Sequence, residues 1–310
     1  MTTPPLRTWL PGFAVLALVW GNSFLFIKIA VADLHPVQLA FTRILVGALT
    51  LLAVLVVTKD RVPRDRRLWM HLFIASTVMT TIPFVLFGYG ELHVSSVEAA
   101  IWNATTPLCT LLFTIALLKE ERPTLARIGG LVLGFLGVML VLGVWRPMDG
   151  SAFGGSLACF GAAACYGLGG VYMRRFLSGR PESGTSLAFG QLTASTLQLA
   201  VVAPVMGMAP VVFGAPAKAW ASVLVLGALG TGLAYVLMYR TMRIVGVTTM
   251  STVTYLLPVF AVASGVLILD EHITWNQPAG AVLVLAAIAV TQGRLTARRR
   301  RAEPSGVTTA

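Results

Sequence analysis

Residues 36–57 read PVQLAFTRILVGALTLLAVLVV, 22 positions with one charged side chain, Arg43. A helix rises about 1.5 Å per residue, so a run of this length spans the ~30 Å hydrocarbon core of a bilayer. A lipid-exposed strand would leave backbone groups unpaired, whereas a helix satisfies its own. Nine more runs of the same character follow this reading, near 11–31, 68–90, 95–118, 125–144, 154–176, 185–207, 217–240, 247–269 and 276–294. Short connections rich in Pro, Gly or charge separate them. The expectation is an all-α integral membrane protein of ten transmembrane helices.

Composition agrees. Of 310 residues 56% are hydrophobic and 11% charged, with a mean hydropathy of +0.82, against roughly 25% charged residues in soluble domains. A formal charge of +11 would point to nucleic acid in a soluble protein, but its distribution excludes that partner. With the N-terminus cytoplasmic, the inner segments hold 19 Lys and Arg, among them Arg61, Arg64, Arg174, Arg175 and the Arg298–Arg301 run. The outer segments hold two, Arg146 and Lys218, and the last two, Lys28 and Arg43, lie within spans. This asymmetry places both termini in the cytoplasm of a multi-pass cell-membrane protein. The basic tail, 295–310, reads as a headgroup anchor. A signal-peptide reading of the first run fails because the run is long enough to span and belongs to the repeat below. Cys109, Cys159 and Cys165 lie in apolar runs without paired spacing, so neither a disulfide, a metal site nor a cofactor is indicated.

The chain repeats itself. Leu39-Ala40-Phe41 recurs as Leu187-Ala188-Phe189 at an offset of 148, and Pro107, Glu120 and Gly129 recur as Pro258, Glu271 and Gly280 at 151. Trp20-Gly21 pairs with Tyr166-Gly167 at 146. Residues 1–145 and 146–294 thus form two halves of five helices each. Because five is odd, the second half enters from the opposite side. Such inverted repeats give two related conformations around a midplane site, the geometry of alternating access.

Trp20-Gly21-Asn22-Ser23, Arg43, Pro107 with Glu120-Glu121-Arg122, and Pro258 with Glu271 resemble the duplicated EamA domains of the drug/metabolite transporter superfamily. The resemblance implies a ten-helix fold and, commonly, export of amino acids, metabolites or toxic compounds. Two departures stand out: Gln191 occupies the place of Arg43, and Thr249 that of Glu98.

Charged side chains inside spans cost about 2.5–3.5 kcal/mol each, so Lys28, Arg43 and Glu98 are candidates for charge pairing or proton coupling. Glu98 is set to neutralise Lys28 or Arg43 across the bundle, and a carboxylate shielded from water takes up protons more readily than an exposed one. Trp102, Asn103, Thr106 and Cys109 share the polar stretch of the fourth helix with Glu98; Thr248, Thr252 and Tyr255 are their counterparts in the ninth. With Trp20, Asn22, Arg43, Tyr166 and Gln191, the residues Trp102, Asn103, Thr106 and Tyr255 are the candidate walls of a solute cavity, although Thr and Tyr also serve helix packing. Pro107 and Pro258 fall mid-helix as hinge candidates, with Pro83 and Gly232 a looser pair. Gly130, Gly134 and Gly137 form a stripe for close helix approach, either within one chain or in a homodimer.

The expected function is a secondary transporter, by preference an exporter, of a small metabolite, amino acid or drug-like solute. No nucleotide-binding P-loop exists in the chain to drive it. An intramembrane lipid-modifying enzyme or a channel is the alternative, but His35, His71, His93 and His272 are scattered and neither H-E-x-x-H nor G-x-S-x-G occurs.

Overall fold

The computed structural model describes residues 6–117, 125–143, 145, 150–177, 179–250, 253, 254 and 256–291. Tyr255, Thr252, Glu120, Glu121 and the 295–310 tail lie outside them, as do the side chains of Thr248 and Thr249. All regular structure among the described residues is helical. In chain order the helices are α1 (Leu10–Gly21), α2 (Ser23–Val31), α3 (Pro36–Thr58), α4 (Arg66–Ser76), α5 (Ile82–His93), α6 (Ser96–Asn103) and α7 (Thr106–Leu117). There follow α8 (Leu125–Leu142), α9 (Gly150–Phe176), α10 (Gly184–Val205), α11 (Ala217–Leu224), α12 (Ala234–Met250), α13 (Leu257–Leu269) and α14 (Asn276–Thr291).

Seven helical segments, some with a break inside, are long and apolar enough to cross a bilayer: Leu10–Val31, Pro36–Thr58, Arg66–His93, Ser96–Leu117, Gly150–Phe176, Gly184–Val205 and Ala217–Met242. Large apolar side chains stand 80% or more exposed, Val57 and Val205 on these segments and Leu125 and Leu267 on α8 and α13, a surface suited to lipid rather than water. The protein is a multi-pass membrane protein. Of the other three expected runs, 125–144 and 276–294 coincide with α8 and α14, while 247–269 is split between the end of α12 and the shorter α13.

Two of the long segments contain π-helical stretches, Thr77–Thr81 between α4 and α5 and Val225–Leu233 between α11 and α12. Pro83 sits just beyond the first, where its missing N–H and its ring would disturb an ordinary helical turn. Gly232 lies inside the second, and a methyl there would come within 2.8 Å of Thr50. The matched breakers of the sequence therefore mark matched irregularities in the helices.

Pro107 and Pro258 behave differently from expectation. Each is the second residue of a new helix, α7 and α13, and not a bend within a continuous one. The first turn of a helix has spare N–H groups, so a proline costs nothing there.

The glycine stripe is used within the chain. A methyl on Gly280 would lie 2.5 Å from Val141 Cγ2 and 2.7 Å from both Gly137 O and Val141 N; one on Gly137 would lie 2.9 Å from Val284 N. Gly134 faces Ala287 in the same seam. The partners descend along α14 as they ascend along α8, so the two helices are antiparallel. Asn276 closes the seam by donating from Nδ2 to Val141 O at 2.9 Å.

Connections meet in pairs at the two ends. The Ser183 hydroxyl bonds Asp60 and Arg180 pairs with Asp65 at 3.6 Å, joining the connection after α3 to that after α9. At the other end Lys218 pairs with Asp33 at 3.2 Å and Gln38 donates to Ala209 O at 2.8 Å.

Candidate functional site

Arg43 lies two turns into α3 and is 6% exposed. Its Nε donates to Thr231 Oγ1 at 3.0 Å, and its guanidinium carbon sits 4.0 Å over the Phe84 ring. Thr231 belongs to the second π-helical stretch and in turn donates to Leu226 O, five residues back, at 2.8 Å. Cation–π contact and a charge-assisted bond together hold a buried guanidinium that would otherwise be costly.

Gln191, the residue in Arg43's place in the second half, is fully buried on α10. Its Nε2 donates to Thr80 Oγ1 at 2.9 Å, and its Oε1 accepts from the Tyr239 hydroxyl at 3.2 Å. Thr80 belongs to the first π-helical stretch. So each of the paired positions 43 and 191 bonds a threonine in the π-helical stretch of the other half. Arg43 and Gln191 are 148 apart in sequence and Thr80 and Thr231 are 151 apart. Ser195 and Gln198, one and two turns beyond Gln191, extend the second crossing: Thr81 donates to Ser195 Oγ at 3.0 Å and Gln198 Nε2 donates to Phe73 O at 2.9 Å.

Trp20 converges on the same place as Arg43. At the end of α1 its Nε1 donates to Gly230 O at 3.0 Å, the residue before Thr231. Tyr166 on α9 stands 6.0 Å from the Phe87 ring, and Phe87 meets Phe24 edge-on at 5.5 Å. Phe84 and Phe87 lie one turn apart on α5. The structure thereby gathers Trp20, Arg43 and Tyr166, from three helices, around α5 and the second π-helical stretch.

Of the remaining candidates Trp102 shares the buried cluster of Phe87, Trp20 and Tyr166, and the others make local contacts. Asn22 fills the break between α1 and α2, donating from Nδ2 to Leu18 O at 2.8 Å. Trp102 packs edge-on to Phe160 at 5.6 Å, Glu98 accepts from Ser156 at 2.6 Å, and Thr106 donates to Asn103 at 3.3 Å across the α6–α7 break.

The expected ion pair of Glu98 with Lys28 or Arg43 is absent among the described residues. Lys28 Nζ instead donates to Glu91 O at 2.6 Å and Val94 O at 2.7 Å, at the end of α5. The last carbonyls of a helix have no partner of their own and carry the negative end of its dipole, so an ammonium is well placed there. Glu271 likewise caps a helix start: its carboxylate accepts from Ser96 N at 2.8 Å and Val97 N at 3.2 Å, opening α6.

One charged residue escaped the sequence reading. Glu91 is 0% exposed, and neither carboxylate oxygen has a hydrogen-bond partner among the described residues. The apolar run was closed at 90, which made Glu91 look like part of a connection. The signal was present in Leu92, which continues the helical pattern for another turn.

A bundle of apolar helices whose buried polar side chains reach across to irregular turns is the build of a polytopic membrane protein. The sequence profile of the EamA-like transporter family matches residues 7–143 and again 153–292, and the chain belongs to that family. It is 24% identical over 278 residues to the uncharacterized transporter YoaV of Bacillus subtilis, covering 89% of this chain and 94% of that one. It is 27% identical over 302 residues to a Streptantibioticus cattleyicolor protein named "Probable terminal-alkyne amino-acid exporter", covering 94% and 98%. A crystal structure with 20% identity superposes with a TM-score of 0.67 over 96% of this chain and 100% of that one. It shares the fold.

Proposed function

We propose that this protein is a secondary carrier made of two inverted five-helix halves, 1–145 and 146–294, ten crossings in all, with both termini cytoplasmic. It moves a small metabolite, amino acid or drug-like solute by alternating access, with export the favoured direction. The observation that carries the reading is the reciprocal pair Arg43–Thr231 and Gln191–Thr80. Two like positions each bonding the other's irregular turn is what a pseudo-two-fold axis between the halves produces, and antiparallel packing of matched helices favours an axis in the membrane plane. The antiparallel seam of α8 and α14, and the twofold match of the family profile, support the same arrangement.

Trp20, Arg43 and Tyr166 are the core of the solute site in this reading. Arg43 offers a forked donor for a carboxylate or similar anion, and the rings offer an apolar wall. Asn22, Trp102, Asn103, Thr106, Gln191 and Tyr255 are the outer candidates. Pro107 and Pro258, each at a break between helices, are the hinge candidates. The amino-acid exporter among the relatives favours an amino-acid-like cargo. The relatives' transporter names favour carriage over lipid chemistry.

Two measurements test this. In vesicles holding the full chain, labelled L-amino acids are expected to show saturable uptake and counterflow; unsaturable, diffusion-like flux would mark a channel instead. In a variant with its native cysteines replaced, Asp60→Cys and Ser183→Cys are expected to cross-link with a short bifunctional maleimide and to be labelled from the same side. Labelling from opposite sides would end the inverted arrangement.

A further inference from the structure

Phe84, Phe87 and Glu91 fall at positions i, i+3 and i+7 of α5, one face of that helix. Phe84 lies under the Arg43 guanidinium, Phe87 touches Tyr166 and Phe24, and Glu91 is wholly buried with both carboxylate oxygens unpartnered. Buried polar groups are almost always satisfied, and an unpaired buried charge is among the costliest arrangements a protein can hold. Something must complete this carboxyl group during function.

We propose that Glu91 is the proton-coupling residue of the carrier: it binds a proton in one state, and releases it when α5 shifts in response to solute at Arg43. The inference rests on the carrier reading above. A proton fits where a solute does not, since Glu91 has no exposed surface. The step is an exchange of one proton, taken from the side of higher proton concentration onto a carboxylate oxygen and delivered to the other side as the carboxylate re-forms.

The charged and titratable groups around Glu91 suit the role. From α2, Lys28 binds the Glu91 carbonyl and places an ammonium beside the carboxyl without bonding it. From α3, Arg43 acts on the same group, and from the segment after α13, Glu271 does. On α9 the Cys159 thiol lies close against Gly90, and on α5 itself His93 follows by two residues. On α6, Glu98 is engaged by Ser156 and Trp102. Charges of both signs, Lys28 and Arg43 against Glu271, act on a group with no hydrogen-bond partner among the described residues, so a shift of α5 relative to them changes which form is favoured. The distance along α5 from Phe84 to Glu91 is about 10 Å, which a rigid helix transmits as one movement.

The test uses the full chain in lipid vesicles and compares wild type, Glu91→Gln and Glu98→Gln. Infrared difference spectra taken across a pH titration are expected to show the C=O stretch of a neutral carboxyl group that disappears in Glu91→Gln and persists in Glu98→Gln. Accumulation of labelled L-amino acids driven by a pH gradient is expected to fall in Glu91→Gln to the level seen without a gradient, while counterflow continues. A carboxyl band unchanged in Glu91→Gln, or gradient-driven accumulation equal to wild type, overturns the proposal and leaves the carrier standing. Counterflow missing from the wild type, with the Glu91 band present, counts against the carrier reading for these solutes, and the band still stands for Glu91 as the proton site.

Discussion

Arg43→Ala is expected to lower amino-acid counterflow by ~10- to 100-fold, the cost of a charge-assisted bond worth ~1.5–3 kcal/mol, while the protein still inserts and folds. Folding survives because the substitution also removes the desolvation cost of a buried cation, and Thr231 keeps its own bond to Leu226. The Phe84 ring loses the guanidinium stacked on it at 4.0 Å, a packing loss that works against this gain. Arg43→Lys is expected to remain low as well, since a point charge cannot reproduce the planar fork. Melting temperature in detergent separates lost transport from lost fold. Full counterflow by a folded Arg43→Ala protein would remove Arg43 from the solute site.

Gly280→Val is the substitution with the largest expected effect on stability. Its first carbon would be forced to 2.7 Å from Gly137 O and Val141 N, and backbone cannot rotate away as a side chain can. Overpacking of this kind costs about 1–3 kcal/mol, and the upper part of that range applies where both obstacles are main chain. The expected result is a lowered melting temperature and a reduced yield of folded protein. Gly129→Val, at the position paired with Gly280 in sequence, is expected to be nearly silent because nothing lies within 4 Å of a carbon added there. Equal damage at both positions would mean that the α8–α14 seam is not what makes Gly280 necessary.

That contrast shows what sequence could and could not convey. Long apolar runs are governed by a simple solvent rule, so the helices at 11–31, 36–57 and 185–207 were legible to within a few residues. The matched positions Arg43 and Gln191 were also legible, because a repeat leaves its offset in the chain. Their partners were not, since Thr80 and Thr231 become special only once the helices carrying them open into π-helical turns. Glu91 is hidden because the apolar run stops at 90 while α5 continues to His93. Lys28 was assigned a carboxylate partner by the logic of opposite charges, whereas the orphan carbonyls at the end of α5 were the nearer acceptors. Spacing alone gave Gly129 and Gly280 equal rank; the crossing of two particular helices separated them.

The unlike chemistry at positions 43 and 191 bears on how such a carrier idles. If the two crossings come apart in turn, one departure breaks a charge-assisted bond from Arg43 and the other several neutral bonds, from Gln191, Thr81 and Gln198, so the two separations differ in cost. A difference of about 1 kcal/mol is a bias of about fivefold between two states. Empty of cargo, a carrier of the kind proposed would then rest with its mouth toward one compartment more often than the other, while the gradients alone set which way cargo moves.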